Sequence, residues 1–338
     1  MMMMSGNNDL VPLLLGLSNF ICVILAIELI KKKRPTQKDN KISVTALYIY
    51  PIKSCKGIKV ENAKISKRGF FYDRLFMVID ENGKFVSQRT QPKMCYIETQ
   101  INFESKMLTI SAPSMATVLT IPLNDSKNGA SEAIKVTVWG DECIANEAFG
   151  DKGNRWFQEC LGTPNLRLVR MSDDCVRKTD EKFAPESQVA FSDGFPFLLC
   201  SNSSMVALNQ KLGKPIPITN FRPNIIVDCK EPFAEDKWSQ IEFHHSDVTC
   251  QPSVVPMKVV KPCSRCKVPT IDQATAQFDP NNEPSRSMKS FRSGESMGLR
   301  EESWRKEVFF GQNVDHSGRE HGEVRVGDAL EIRSYHNF

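Results

Sequence analysis

Lys261-Pro262-Cys263-Ser264-Arg265-Cys266 places two thiols three positions apart beside an Arg, with Lys261 and Lys267 on either side. The fold given to the chain turns on how this hexapeptide is read. Neighbouring cations favour the thiolate, the form of sulfur that attacks electrophiles or binds a soft metal. Half of a structural zinc site would need further ligands, and Cys250 with the His244-His245 pair stands in an unusual order and spacing for that. A redox dithiol needs its first Cys at the head of a helix, whereas Cys263 follows a strand-like run and Pro269 interrupts what comes after. Two ordinary, partly buried thiols are the third reading.

Around the hexapeptide the chain is mostly β. Val44 to Tyr50, Arg74 to Asp80, Phe85 to Gln88, Met107 to Ser111, Val118 to Ile121 and Ile134 to Trp139 are β-branched or aromatic runs bounded by turn residues. Glu81-Asn82-Gly83 has the composition of a hairpin turn. Strand signals resume at Ile225 to Val227 and Met257 to Val260, with a closing pair, Glu323 to Val326 and Ala329 to Ile332, joined through Gly327-Asp328. Helical spacing is confined to Asn154 to Leu161 and Ser203 to Leu212. The even spacing of short strands is that of a barrel. Asp272 to Lys306 is polar, carries Pro280, Pro284, Gly294 and Gly298, and is expected to be disordered or a lid.

Composition excludes several classes. With 338 residues, 41% hydrophobic and 25% charged, the chain is globular, neither disordered nor a protein of many membrane spans. A formal net charge of +4 is too small to indicate nucleic acid, so a small-molecule partner is expected. Eleven cysteines without a framework spacing fit reduced thiols in the cytosol. Neither common phosphate-binding glycine motif occurs, nor does G-x-S-x-G.

Leu10 to Ile30 is an apolar run of the length that spans a bilayer as a helix. No basic residue precedes it and Lys31-Lys32-Lys33-Arg34 follows it, the pattern of an anchor that keeps the body cytosolic. Residues 31–42 read as a basic linker, and 1–9 as a short tail.

Three further pieces make the hexapeptide specific: Tyr50-Pro51-Ile52-Lys53-Ser54-Cys55-Lys56-Gly57, Tyr72-Asp73-Arg74 and Asn220-Phe221-Arg222-Pro223-Asn224. With Ser192-Asp193 ahead of Pro196-Phe197 and a late Phe310-Gly311-Gln312, they occur in the order and at the intervals of a known family. Over about residues 42–338 the chain resembles the MOSC family of molybdenum-cofactor proteins, and within it the amidoxime-reducing branch.

The resemblance implies an α+β, mainly β fold, with an N-terminal β-barrel region at 43–180 and a MOSC-type barrel domain at 181–338, preceded by the transmembrane segment 10–30. It implies molybdenum-molybdopterin (Moco) as cofactor and Cys266 as the sulfur ligand of the metal. Ser264 and Arg265 are then contacts beside it, and Lys53, Ser54, Arg74 and Arg222 hold the cofactor. Such a cofactor presents a dithiolene, a hydrogen-bonding pterin and a phosphate, which call for one soft protein sulfur and converging cations. Gly194 and Phe195 stand where similar members carry hydroxyl residues, and Asn313 where some carry Tyr; all three are expected to contact the cofactor. Asp193 is the candidate proton donor.

The implied reaction is reduction of N-hydroxylated compounds, amidoximes and hydroxylamines, with NADH electrons delivered through a flavin reductase and cytochrome b5. The implied membrane is the mitochondrial outer membrane. Two other classes stay open: a molybdenum-cofactor carrier or sulfur-transfer protein, since MOSC domains also end cofactor sulfurases, and a membrane-tethered zinc-binding module.

Overall fold

In the strand Ile42–Ile49, Val44, Leu47 and Ile49 are buried, and a bulge between Val44 and Ala46 shifts the alternation by one residue so that both halves face inward. The strand is antiparallel to Ile225–Asp228 on one side. On the other it meets Ala329–Tyr335 near its start and Ile58–Val60 near its end. From Ile225–Asp228 the sheet continues through Phe197–Ser201, Phe309–Asp315, Ser253–Ser264 and Trp238–His245 back to Ala329–Tyr335, so it closes into a barrel. Phe197–Ser201 and Ile225–Asp228 run parallel, and the crossover between them holds the helix Asn202–Asn209, capped by the Ser201 hydroxyl. Phe197, Trp238, Phe243, Met257 and Val314 fill the interior.

A second β region precedes most of this barrel in sequence. Phe76–Ile79, Arg167–Met171, Asp141–Glu147 and Ile134–Val138 form a four-stranded sheet, and Glu98–Asn102, Met107–Ser111 and Leu119–Pro122 a three-stranded meander. The helix Gly150–Leu161 lays Trp156, Phe157, Cys160 and Leu161 on the core that contains Leu108 and Ile110. It ends at Gly162 in the left-handed conformation (φ 64°).

The computed structural model describes residues 41–124, 133–245 and 253–336. The anchor read at 10–30 and residues 31–40 of the linker lie outside them. Among the described residues no helix is long and apolar enough to cross a membrane. The chain from Ile42 onward is one compact unit, mainly β with few helices.

Four expectations are corrected. The strand expected at Met257 to Val260 runs from Ser253 to Ser264 and carries most of the hexapeptide with it. Phe85 to Gln88 is no strand: only single bridges form there, Phe85 to Ile79 and Lys84 to Thr137, because the residues beyond turn toward the site. Glu323–Arg325 and Ala329–Tyr335 do not pair with each other. The first pairs with Asn62–Ser66, the second enters the barrel, and Gly327 (φ 92°) turns the chain between the two sheets. The tract 272–306 is an ordered part of the fold. It folds back on the barrel with Met288 and Arg292 buried, the latter bonded to both carboxylate oxygens of Asp236, at 2.5 and 2.9 Å.

Candidate functional site

Tyr50 sets the base of the site. Its buried ring lies 4.1 Å from the Arg74 guanidinium and 4.3 Å from that of Arg222, measured to the ring centre. Its backbone N–H donates to Asp73 Oδ1 (2.8 Å) and its hydroxyl to the Pro223 carbonyl (3.1 Å). A Cβ at Gly57 would sit 2.4 Å from Tyr50 Cε1, which is why the stretch that begins with this tyrosine ends in glycine. Arg74 and Arg222 both adopt positive φ, 48° and 58°, a strained choice for side-chain-bearing residues.

Their donors are largely committed. Arg74 Nη1 binds both oxygens of Asp73 (2.6 and 2.8 Å) and Asn224 Oδ1 (3.1 Å), while Nη2 reaches the Arg222 carbonyl (3.1 Å). Arg222 Nη1 donates to the Cys55 carbonyl at 2.7 Å, but its Nη2 is buried without a partner.

Lys53 is buried too, and its Nζ donates to the Phe191 carbonyl (2.8 Å) and to Asp193 Oδ1 (2.6 Å). Trp139 Nε1 donates to the same carboxylate oxygen at 2.9 Å. Arg177 pins the loop that carries Asp193 by binding the carbonyls of Ala190, Ser192 and Asp193. Desolvation by the surrounding wall would push the Asp193 carboxyl up, yet Lys53, the Trp139 bond and Arg74 together hold it well below the usual carboxylate range. In this arrangement Asp193 Oδ1 accepts from two donors at once and so orients Lys53.

The strand Ser253–Ser264 delivers the hexapeptide to the same place. Arg265 Nη1 donates to Cys263 Sγ at 2.9 Å and Nη2 to the Phe221 carbonyl at 2.8 Å. The guanidinium therefore gives its thiol hydrogen bond to Cys263. Burial pushes the Cys263 thiol up despite that contact, which corrects the view of the pair as two activated thiols. Cys266, half-buried just past the strand, accepts a long bond from the Val268 N–H (3.5 Å).

These groups converge on one cavity of about 110 Å³ that opens to solvent. Lys53, Ser54, Arg74, Asp193, Gly194, Phe195, Arg222, Arg265, Cys266 and Asn313 all line it. Ser264 does not: it alternates with Cys263 and Arg265 at the strand end and is exposed opposite Phe309. Five cations, Lys53, Arg74, Arg89, Arg222 and Arg265, face one carboxylate, Asp193. Arg265 Nε, like Arg222 Nη2, is buried and unpartnered. Buried donors without acceptors on the wall of a cation-rich cavity are the complement of a bound anion.

Residues 41–164 match the MOSC N-terminal beta barrel domain and residues 186–331 the MOSC domain. A bovine protein named mitochondrial amidoxime reducing component 2 is 30% identical over 85% of this chain and 82% of its own length. The chain belongs to the MOSC family. A mouse mitochondrial amidoxime-reducing component 1 is also 30% identical, over 94% of this MOSC chain and 90% of that protein. A zebrafish (Danio rerio) molybdenum cofactor sulfurase is 28% identical over 80% of the chain but only 33% of its own length.

Sequence reasoning missed part of the wall. Phe85, Ser87, Arg89 and Trp139 line the cavity from the N-terminal β region of this MOSC protein. The one available signal was Trp139-Gly140 at a turn between two strand patterns, where a bulky aromatic is out of place.

Proposed function

We propose that this chain is a molybdenum-cofactor oxidoreductase that reduces N-hydroxylated compounds to their N–H forms. The observation that carries the reading is the cavity itself, with five cations, two orphaned buried donors and the half-buried Cys266 thiol on one wall. That donor set fits a phosphate-bearing, metal-binding pterin. The names of the bovine and mouse relatives support the substrate class.

In this reading Cys266 holds the metal through its sulfur. Arg222, Arg265 and Arg74 hold the anionic and hydrogen-bonding parts of the pterin, with Ser54, Gly194, Phe195 and Asn313 completing its surroundings. When bound, the group supplies the two electrons and the oxygen-accepting metal that break an N–O bond. The protein's task is to exclude competing ligands and to keep charge in register. The Asp193 carboxylate accepts from Lys53 Nζ and fixes its position. Burial, with Arg177 and Arg74 adding their positive field, pulls the Lys53 ammonium below its ordinary value against the attraction of Asp193.

Electrons are proposed to come from NADH through a flavin reductase and cytochrome b5, with residues 10–30 anchoring the protein in the mitochondrial outer membrane. An anchor confines enzyme and membrane-bound donor to one surface and raises their effective concentration. Among the described residues no group of three His, Cys, Asp or Glu side chains is placed to hold a metal, and Cys250, which the zinc alternative needs, lies outside them.

Elemental analysis decides the matter. The chain lacking residues 1–34, purified from cells that make the cofactor, is expected to be soluble, to carry close to one molybdenum per chain and to reduce benzamidoxime with reduced methyl viologen. Stoichiometric zinc without molybdenum refutes the reading; molybdenum without turnover of any N-hydroxylated compound leaves the carrier or sulfur-transfer alternative.

A further inference from the structure

Trp139 and Gly140 are the two-residue link between Ile134–Val138 and Asp141–Glu147, where Val138 pairs directly with Asp141. Both have positive φ, 56° and 98°. Asn or Gly meets that requirement without strain, whereas an indole-bearing residue does not, and such outliers persist where the surroundings hold them for a purpose. Three contacts hold this one. Its Nε1 donates to Asp193 Oδ1 at 2.9 Å, the Phe85 ring centre is 5.4 Å away, and the Arg89 guanidinium lies 4.2 Å from its ring centre. Even so, 49% of Trp139 is exposed, and it lines the cavity.

The fold does not need the indole there. Asp193 is already bound by Lys53 at 2.6 Å, and an Asn-Gly turn would close the hairpin. Arg89 is similarly unaccounted for. The other four cations of the cavity donate to carbonyls, a carboxylate or a thiol, whereas Arg89 forms no ion pair among the described residues and bonds by Nε only weakly to Ser87 Oγ (3.4 Å). Its terminal N–H groups are open to a ligand, held flat against an aromatic face.

We propose that Trp139 and Arg89 form the recognition edge for substrate, taking planar, conjugated N-hydroxylated compounds that bear an anionic or carbonyl substituent. The planar ring stacks on the indole and the substituent accepts from the Arg89 guanidinium. The inference rests on the reductase reading above and adds the substrate class. It also gives the N-terminal β region a direct part in selecting what the site turns over.

The test uses the full-length, cofactor-loaded protein in detergent with reduced methyl viologen and three compounds: benzamidoxime, 4-carboxybenzamidoxime and N-methylhydroxylamine. Trp139→Ala is expected to raise KM for the two aromatic compounds roughly tenfold, the scale of one lost ring stack, and to raise it far less for N-methylhydroxylamine, with molybdenum content retained. Trp139→Phe, which keeps a ring but loses the N–H, is expected to retain most of the aromatic affinity. Arg89→Ala is expected to abolish the preference for the carboxylated compound over its parent. If Trp139→Phe fails as badly as Trp139→Ala, or KM rises equally for all three compounds as molybdenum falls, the indole only steadies Asp193 and the proposal is overturned. Equilibrium dialysis of 4-carboxybenzamidoxime reads binding without turnover: a wild-type protein that binds but does not reduce it sinks the reductase reading alone, while equal binding by wild type and Trp139→Ala sinks the recognition edge.

Discussion

Arg74 and Asp73 are chain neighbours that form a buried ion pair, Nη1 to Oδ2 at 2.6 Å, and the same carboxylate caps the Tyr50 amide through its other oxygen. Burial pushes the Asp73 carboxyl up while Arg74 opposes the shift. Asp73→Ala strands a buried guanidinium, a change that costs about 3–5 kcal/mol when a buried pair is broken. Urea unfolding should show a large drop in midpoint for Asp73→Ala. An unchanged midpoint means that Arg74 finds water or another acceptor.

The cations can be tested by what they hold. Arg222→Ala and Arg74→Ala should each lower cofactor content, by an amount consistent with about 1.5–3 kcal/mol per charged hydrogen bond lost. Molybdenum and pterin measured on the purified double variant should be near background. Full occupancy in that variant would remove both residues from the site.

Cys266 and Cys263 separate the metal readings. Cys266→Ala should abolish amidoxime reduction, since it deletes the proposed sulfur ligand. Cys263→Ala should keep substantial activity, because it removes a small, only partly buried volume and leaves Arg265 its bond to the Phe221 carbonyl. Equal inactivation of the two by the same assay would contradict this division of labour.

The Asp193–Lys53 pair has a defined pH signature. A carboxylate whose folded value lies below its unfolded value of about 3.9 contributes stability that is complete above that pH and lost as pH falls through the folded value. The side chain keeps 71% of its surface open, so the contribution should be under about 1 kcal/mol. Asp193→Asn should therefore lower the urea midpoint slightly at pH 6, with the gap to wild type closing below pH 4. A gap that widens on acidification would contradict the assigned direction.

Gly57→Ala probes the base of the site without touching charge. The new methyl would overlap the Tyr50 ring, an overpacking worth about 1–3 kcal/mol. Thermal unfolding should report the loss, and weakened cofactor retention should accompany it, because the ring supports both Arg74 and Arg222.

What the sequence disclosed followed from chemistry carried by short segments. Cys266, Arg265, Lys53, Arg74 and Arg222 sit in compact motifs, and the structure brings all five to one cavity. The barrel was legible because alternation in segments such as Met107–Ser111 is local. Pairings were not. Glu323–Arg325 finds its partner at Asn62–Ser66, and no feature of either segment names the other. Trp238–His245 escaped notice because its outward positions carry Gln, Glu and His and its register slips on both sides of Gln240. Arg89 and Trp139 were invisible as a pair, since a hairpin tip must reach Asp193 before either acquires a role.

The first described strand, Ile42–Ile49, belongs in space to the barrel that the end of the chain completes. It waits for Ile225–Asp228 on one side and for Ala329–Tyr335 on the other, so ring closure is a late event whose loop entropy spans nearly the whole polypeptide. A nascent chain emerging from the ribosome holds two unsatisfied sheet edges until its last strand is free, and the C-terminal half made alone would keep such edges permanently. The two family segments are thus two names along the sequence but a single unit of folding, and neither should be expected to survive being cut from the other.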